Sequence, residues 1–208
     1  MIVLLGSQKG GVGKSTLAVS IAAYLRELGK TVMIVDADDQ KSVLTWYNHR
    51  PEELPRIPVV SATGNIKNTL LEMSQHYDYV IADSAGRDSS ELRSGLMAAD
   101  VFISPLRPSQ MDLDVVPHTC EVFTAAKDFN EKVRGYLVLN MTPTNMFVRE
   151  GDAAQKVLED YPEMSQAKNR VCERKVFRDT WATSTTIFES DNEKAKEEIR
   201  NLVNEVIL

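Results

Sequence analysis

The sequence predicts an α/β fold, a three-layer arrangement in which a mostly parallel β-sheet is flanked by helices. Three observations carry that reading. Short apolar runs rich in β-branched residues recur at positions 2–5, 31–35, 57–61, 79–82, 101–104 and 135–140, with longer amphipathic stretches between them. Several of these runs are apolar throughout rather than alternating, as strands covered on both faces must be. The first run leads through a glycine-rich turn into a helical stretch at 17–28. Ligands of such sheets lie at the carboxyl ends of the strands.

The first turn reads Gln8-Lys9-Gly10-Gly11-Val12-Gly13-Lys14-Ser15-Thr16. A buried strand that opens through glycines into a helix presents backbone N–H groups and a helix N-terminus to phosphates. Gly10, Gly11 and Gly13 permit close backbone approach and positive φ. Lys14 has the reach for β- and γ-phosphates, and the Ser15 hydroxyl suits Mg²⁺. This is the chemistry of a nucleoside triphosphate site. The ordinary phosphate-loop pattern has glycine where Gln8 stands, and a second lysine, Lys9, sits at the mouth of the loop. The segment therefore resembles the deviant Walker A motif of the MinD/ParA family. The resemblance implies ATP and Mg²⁺ as ligands, with Gly10, Gly11, Val12, Gly13, Lys14, Ser15 and Thr16 around the nucleotide. It also implies that Lys9 crosses a dimer interface to the partner's phosphates, as an arginine finger does.

The second run ends in Val35-Asp36-Ala37-Asp38-Asp39-Gln40. Alone, such an acidic turn is a solvated loop; beside a phosphate loop, its carboxylates can handle metal-bound and attacking water. The segment resembles the family's D-x-D-P-Q, which gives Asp38 the task of orienting water and a place near the metal. Asp39 replaces the usual proline and predicts a less rigid loop. Residues 50–58, rich in proline and glutamate, read as a loop before the third run.

The fourth run, Asp78-Tyr79-Val80-Ile81-Ala82-Asp83-Ser84-Ala85-Gly86, has the Walker B and switch II form. Asp83 is expected in the Mg²⁺ shell, and the Gly86 N–H as the sensor of the γ-phosphate. The continuation from Arg87 to Ser94 resembles small plasmid-type ParA proteins; Arg87 reads either as a contact to a partner subunit or as a solvent-facing arginine. After the fifth run, Pro105-Leu106-Arg107-Pro108-Ser109-Gln110-Met111-Asp112 resembles the family's P-x-x-P-S-x-x-D segment, which borders the nucleotide and the dimer interface. Ser109 and Asp112 equally suit helix capping. The sixth run ends at Asn140, where the resemblance implies a contact to the adenine edge.

Between 168 and 178, Lys168, Arg170, Arg174, Lys175 and Arg178 stand against Glu173 alone, a local excess of four positive charges in a chain of net charge −6. Such a segment is either a solvated helix face or a surface for phosphate backbones. The family resemblance implies nonspecific DNA binding by the ATP-bound dimer. The last helical stretch, 191–206, is acidic on its exposed face and lacks the basic amphipathic character with which MinD holds a membrane.

With 208 residues, 43% hydrophobic and 26% charged, the chain suits one domain, 1–208, with a substantial core. No run is long enough to span a bilayer, and the first apolar run is followed at once by glycines and lysines, so a cytoplasmic location is expected, which the ParA resemblance narrows to a nucleoid-associated one. Cys120 and Cys172 lie in no metal-binding pattern and read as buried thiols. The resemblance covers nearly the whole chain. It implies a small ParA-type partition ATPase without the N-terminal helix-turn-helix of some relatives, segregating a plasmid or cellular cargo. A small ParB-like or cargo-adaptor protein is the implied partner, and no membrane is. The other classes on this fold are MinD-like membrane ATPases, nitrogenase-reductase-type electron carriers and metabolic ligases of the dethiobiotin or cobyrinate synthetase type. They require a basic terminal helix, a cluster-binding cysteine and a substrate-pocket motif respectively, none of which the sequence displays.

Overall fold

The computed structural model describes residues 1–145 and 149–208. The chain runs β1 (Ile2–Leu5), α1 (Lys14–Glu27), β2 (Val32–Ala37), α2 (Ser42–Asn48), β3 (Val59–Ser61), α3 (Lys67–Met73) and β4 (Tyr79–Ser84). It continues through α4 (Ser90–Leu96), β5 (Val101–Leu106), α5 (Gln110–Leu113), α6 (Val116–Lys127), β6 (Arg134–Thr142) and α7 (Glu150–Leu158). It ends with β7 (Ser165–Gln166), β8 (Val171–Cys172), α8 (Lys175–Ala182), a short 3-10 turn at Ile187–Glu189 and α9 (Glu193–Val206).

The strands form one sheet in the order β3-β2-β4-β1-β5-β6-β7, with β8 continuing along the same edge of β6. Every pairing between them is parallel. β1 is central, between β4 and β5, so the loop that follows it emerges where the crossovers on either side diverge. That crevice is where open parallel sheets bind ligands.

Alternation along β1 sends Val3 and Leu5 to one core and Ile2 and Leu4 to the other. The first core is closed by α1, α2, α9 and the 3-10 turn; the second by α3, α4, α6 and α7. α1 is buried on most of its surface because α9 covers the side that the sheet leaves open. α9 meets it with Ala195, Ile199, Leu202, Val203 and Val206, one apolar stripe at helical spacing, and is capped by Asn192 accepting from the Ala195 N–H. Among the described residues no helix is long and apolar enough to cross a membrane.

The six expected strands are present, and four of them run further than the apolar pattern. β2, β4, β5 and β6 reach Ala37, Ser84, Leu106 and Thr142. The added residues include Asp36, Asp83 and Ser84, which are polar yet buried, so in β2 and β4 a hydrophobic criterion stops short of the ends that form the site. The two-residue strands β7 and β8 carry no sequence signal of their own.

The loop at 50–58 contains a buried cation. Arg50 donates to the Pro55 and Ser184 carbonyls at 3.0–3.1 Å, pairs with Glu189 and lies 5.1 Å over the Trp46 ring. Glu189 also closes a capping box with Thr186. This pair ties α2 to the turn that starts the return to α9. Removing one partner of a buried pair leaves an uncompensated charge, which costs roughly 3–5 kcal/mol. Glu189→Ala is therefore expected to lower the unfolding free energy by about 3 kcal/mol, read as a shift in the urea midpoint at unchanged m-value.

Candidate active site

From the end of β1 the chain turns through the glycine loop into α1. Gly11 and Gly13 have φ of +72° and +87°, and Gly13 is the N-cap of α1. Gly10 is not among the positive-φ residues, so the expectation for all three glycines holds for two of them. Gly10 serves by close approach instead. The Gly86 backbone is pressed against it, and a Cβ at Gly86 would stand 2.8 Å from the Lys9 carbonyl and 3.0 Å from the Gly10 nitrogen. This contact seats the expected γ-phosphate sensor against the phosphate loop. On the other side the Asn140 amide donates to the Val12 carbonyl at 2.7 Å, and a Cβ at Gly13 would collide with it. Asn140 thus braces the loop from the end of β6.

Lys14 is buried at the start of α1, and its ammonium makes a long 3.4 Å contact to the Lys9 carbonyl. Desolvation lowers its pKa, with Asp83 and Asp38 opposing that shift. The N–H groups of the first turn of α1 face the same space. A lysine held by one weak acceptor beside free helix N–H groups is an arrangement completed by an anion.

The carboxylates come from neighbouring strands, Asp36 of β2 lying in register with Asp83 of β4. They differ in their partners. Asp36 accepts from the Leu44 N–H at 2.8 Å and the Asp38 N–H at 3.3 Å, so it starts α2 and shapes the loop that carries Asp38; burial raises its pKa. Both oxygens of Asp83 are buried without a hydrogen-bond partner among the described residues. Desolvation pushes Asp83 up to about 7, against the lowering effects of the Ser15 hydroxyl and Lys14. Asp38 is half-buried at the lip of the cleft, where its carboxylate accepts from the Gln40 N–H at 2.9 Å. The chemistry of this set fits Mg²⁺, a hard cation that takes one or two protein oxygens and completes its shell with phosphate and water. Ser15 and Asp83 are the residues that would hold it. No group of three His, Cys, Asp or Glu side chains that could hold a metal occurs among the described residues.

Two cavities meet here. A polar cleft of about 750 Å³ is walled by Gly10, Lys14, Ser15, Asp38, Gly86 and Arg87. An apolar cavity of about 310 Å³ lies beside it, walled by Leu17, Asn140, Val171, Arg174, Phe177 and Arg178. Gly13, Thr16, Met141 and Trp181 line both. The first has the size and charge for a Mg²⁺-triphosphate, and the second suits a nucleobase. Trp181, Phe177 and Met141 were not among the expected site residues; they are ordinary amphipathic positions until α8 and the end of β6 are brought over the loop. Arg107, from the loop after β5, donates to the Gly11 carbonyl at 2.7 Å and fixes the loop's outer side. Ser109 caps α5 by accepting from the Asp112 N–H, the capping alternative of that segment.

The basic segment differs most from its expectation. Arg170 pairs with Asp152, Arg174 with Glu198, Lys175 with Asp179 and Arg178 with Glu173. Three of these acids, Asp152, Asp179 and Glu198, lie outside the counted segment, so in space most of the excess counted along the chain is offset. Arg174 and Arg178 also border the apolar cavity. Lys168 is exposed, its N–H held by Glu205.

Comparison with known proteins gives the family and the fold. Residues 3–201 match the family described as the CobQ/CobB/MinD/ParA nucleotide binding domain. Maintenance of carboxysome distribution protein A from Halothiobacillus neapolitanus is 30% identical over 208 residues, covering 96% of this chain and 93% of that protein. Protein ParA from Rhizobium radiobacter is 27% identical over 143 residues, 67% of this chain and 64% of that one. Among solved structures, an ATP complex of an McdA variant from Cyanothece superposes with a TM-score of 0.81 at 15% identity, covering 98% of this chain and 95% of that one.

The burial of Asp83 makes stability depend on pH. Its folded pKa of about 7 lies above the ordinary 3.8. Between these values the folded state holds the extra proton, so stability falls as pH rises. The penalty is absent below about pH 4 and fully present above about pH 7. Without divalent metal, Asp83→Asn is expected to melt above the parent at pH 8, the gap closing toward pH 4; calorimetric melting at both pH values checks this.

Proposed function

Because the chain belongs to the CobQ/CobB/MinD/ParA nucleotide-binding family, we propose that it is a Mg²⁺-dependent ATPase of ParA type that positions a plasmid or cellular cargo. The observation that carries the nucleotide assignment is the pair of adjoining cavities around Gly13 and Thr16, one charged and one apolar, with the partnerless Asp83 carboxylate in the wall of strands behind them. The names of the relatives, one a carboxysome distribution protein and one a ParA, support the positioning role.

In this reading the loop N–H groups and Lys14 bind the β- and γ-phosphates, and the base rests against Phe177 and Trp181. Bound Mg²⁺ neutralises the phosphate charge that builds up during transfer. Asp83 and Ser15 orient toward that position, and Asp38, held by Asp36 and Gln40, positions the attacking water. Gly86, seated on Lys9 and Gly10, couples the presence of the third phosphate to the loop. Lys9, half-buried at the mouth, reaches the phosphates of a second subunit, so that two nucleotides join two copies of the chain.

DNA is the proposed surface for the dimer. The exposed pairs of Lys175 and Arg178 are worth roughly 0–1 kcal/mol each, so phosphates can displace their acids at little cost. Arg174, with only 19% of its side chain exposed and bonded to Glu198 at 2.5 Å, is held more firmly. Arg170 is likewise held, by Asp152 and Gln155, so the DNA surface is carried by Lys168, Lys175 and Arg178 more than by Arg170 and Arg174. A small ParB-like or cargo-adaptor protein completes the system. The apolar face of α9 is buried in the first core, which supports a DNA-bound rather than a membrane-bound ATPase.

Lys9→Ala is expected to bind ATP with parental affinity as a monomer, to form no ATP dimer by light scattering, and to lose ATP-dependent retention on random-sequence DNA. A normal dimer in this variant would remove the crossing lysine. A parent protein that shows no ATP-dependent retention on DNA would remove the DNA surface.

A further inference from the structure

Arg87 follows Gly86 directly, and the close seating of Gly86 on the phosphate loop sets the Arg87 side chain in the wall of the phosphate cleft. Asp39, from the loop after the neighbouring strand β2, lines the same cleft. The two side chains meet there, Nη2 to Oδ2 at 3.6 Å. Asp88, beside Arg87 in sequence, is occupied by two bonds from Arg93 at 2.6–2.7 Å and by His118 at 3.6 Å. Asp39 is thus the carboxylate paired with Arg87 among the described residues. It is also the position where this chain departs from the proline of D-x-D-P-Q.

We infer that Arg87 is a γ-phosphate contact of this ATPase, and that Asp39 holds it in the cleft until a third phosphate arrives. The inference rests on the nucleotide assignment above. The pair is long, and its side chains are 71% and 73% exposed, so it is weak and separates at little cost. A terminal phosphate offers a guanidinium more charge and a bidentate set of oxygens, which makes it the stronger acceptor. ADP lacks that group. Arg87 therefore distinguishes ATP from ADP, and Asp39 competes with the γ-phosphate for the same cation. Proline could not compete, so the departure at position 39 adds a threshold to ATP binding.

Equilibrium titration with a non-hydrolysable ATP analogue and with ADP, both with Mg²⁺, tests this. Arg87→Ala is expected to weaken the analogue about 10-fold, the scale of one charged contact, while leaving ADP within about twofold, and Arg87→Lys to recover part of the loss. Asp39→Asn should tighten the analogue by about threefold, and this gain should vanish in the Arg87→Ala background, as coupled residues require. An equal gain in both backgrounds would mean that Asp39 merely repels phosphate and would overturn its holding role, as would no gain at all. Equal losses of analogue and ADP in Arg87→Ala would overturn the γ-phosphate contact. Failure of the parent to bind either nucleotide would instead overturn the nucleotide assignment on which the inference rests.

Discussion

The constraint on which the site depends is the burial, at the end of a central strand, of a carboxylate that makes no hydrogen bond among the described residues. Folding places Asp83 in the sheet, next in register to Asp36 and close to the buried Lys14. A protein selected for stability alone would fill that position with an apolar residue or give it a hydrogen-bond donor. Here Asp83 keeps its charge-bearing oxygens buried with the Ser15 hydroxyl nearby but no hydrogen bond formed among the described residues, and the cost is offset elsewhere by two apolar cores, one on each face of the sheet. Lys14, the first turn of α1 and Asp83 share one incompleteness. Each lacks a counterpart of defined charge, and a Mg²⁺-triphosphate supplies all of them together.

Topology converts this local incompleteness into a site. With β1 between β4 and β5, the phosphate loop emerges beside the ends of the strands carrying Asp36 and Asp83, so glycines, lysine and carboxylates meet without any long excursion of the chain. The loop is held from three directions: Asn140 on the Val12 carbonyl, Arg107 on the Gly11 carbonyl and the Gly86 backbone on Gly10. A loop fixed in this way presents its N–H groups without having to be ordered by the ligand, which is how preorganised phosphate sites gain affinity. The apolar cavity then extends the site sideways, under α8 and toward the basic segment.

The parts legible in the sequence are those whose chemistry is contiguous. The nine residues from Gln8 to Thr16 display their own spacing, and Asp83 ends an apolar run with a glycine three residues on. The illegible parts are made by partners far apart in the chain. Nothing around Arg50 announces Glu189, 139 residues later. The cations near 174 look unopposed until α9 supplies Glu198 and α7 supplies Asp152. Asp36 reads as a member of an acidic turn, whereas its carboxylate is spent on the Leu44 and Asp38 N–H groups. Trp181 stands in no motif of the sequence and lines both cavities only once α8 is folded over the loop.

The most direct test of the central claim is the increment that Mg²⁺ adds to the melting temperature in saturating ATP, measured by calorimetry for the parent and for Asp83→Asn. If the buried carboxylate awaits the metal, ATP with chelator stabilises both proteins through the phosphate loop, and Mg²⁺ raises the parent further while adding little to Asp83→Asn. An Mg²⁺ increment of the same size in both proteins would contradict the account, because the metal would then be held without the residue around which this site is built.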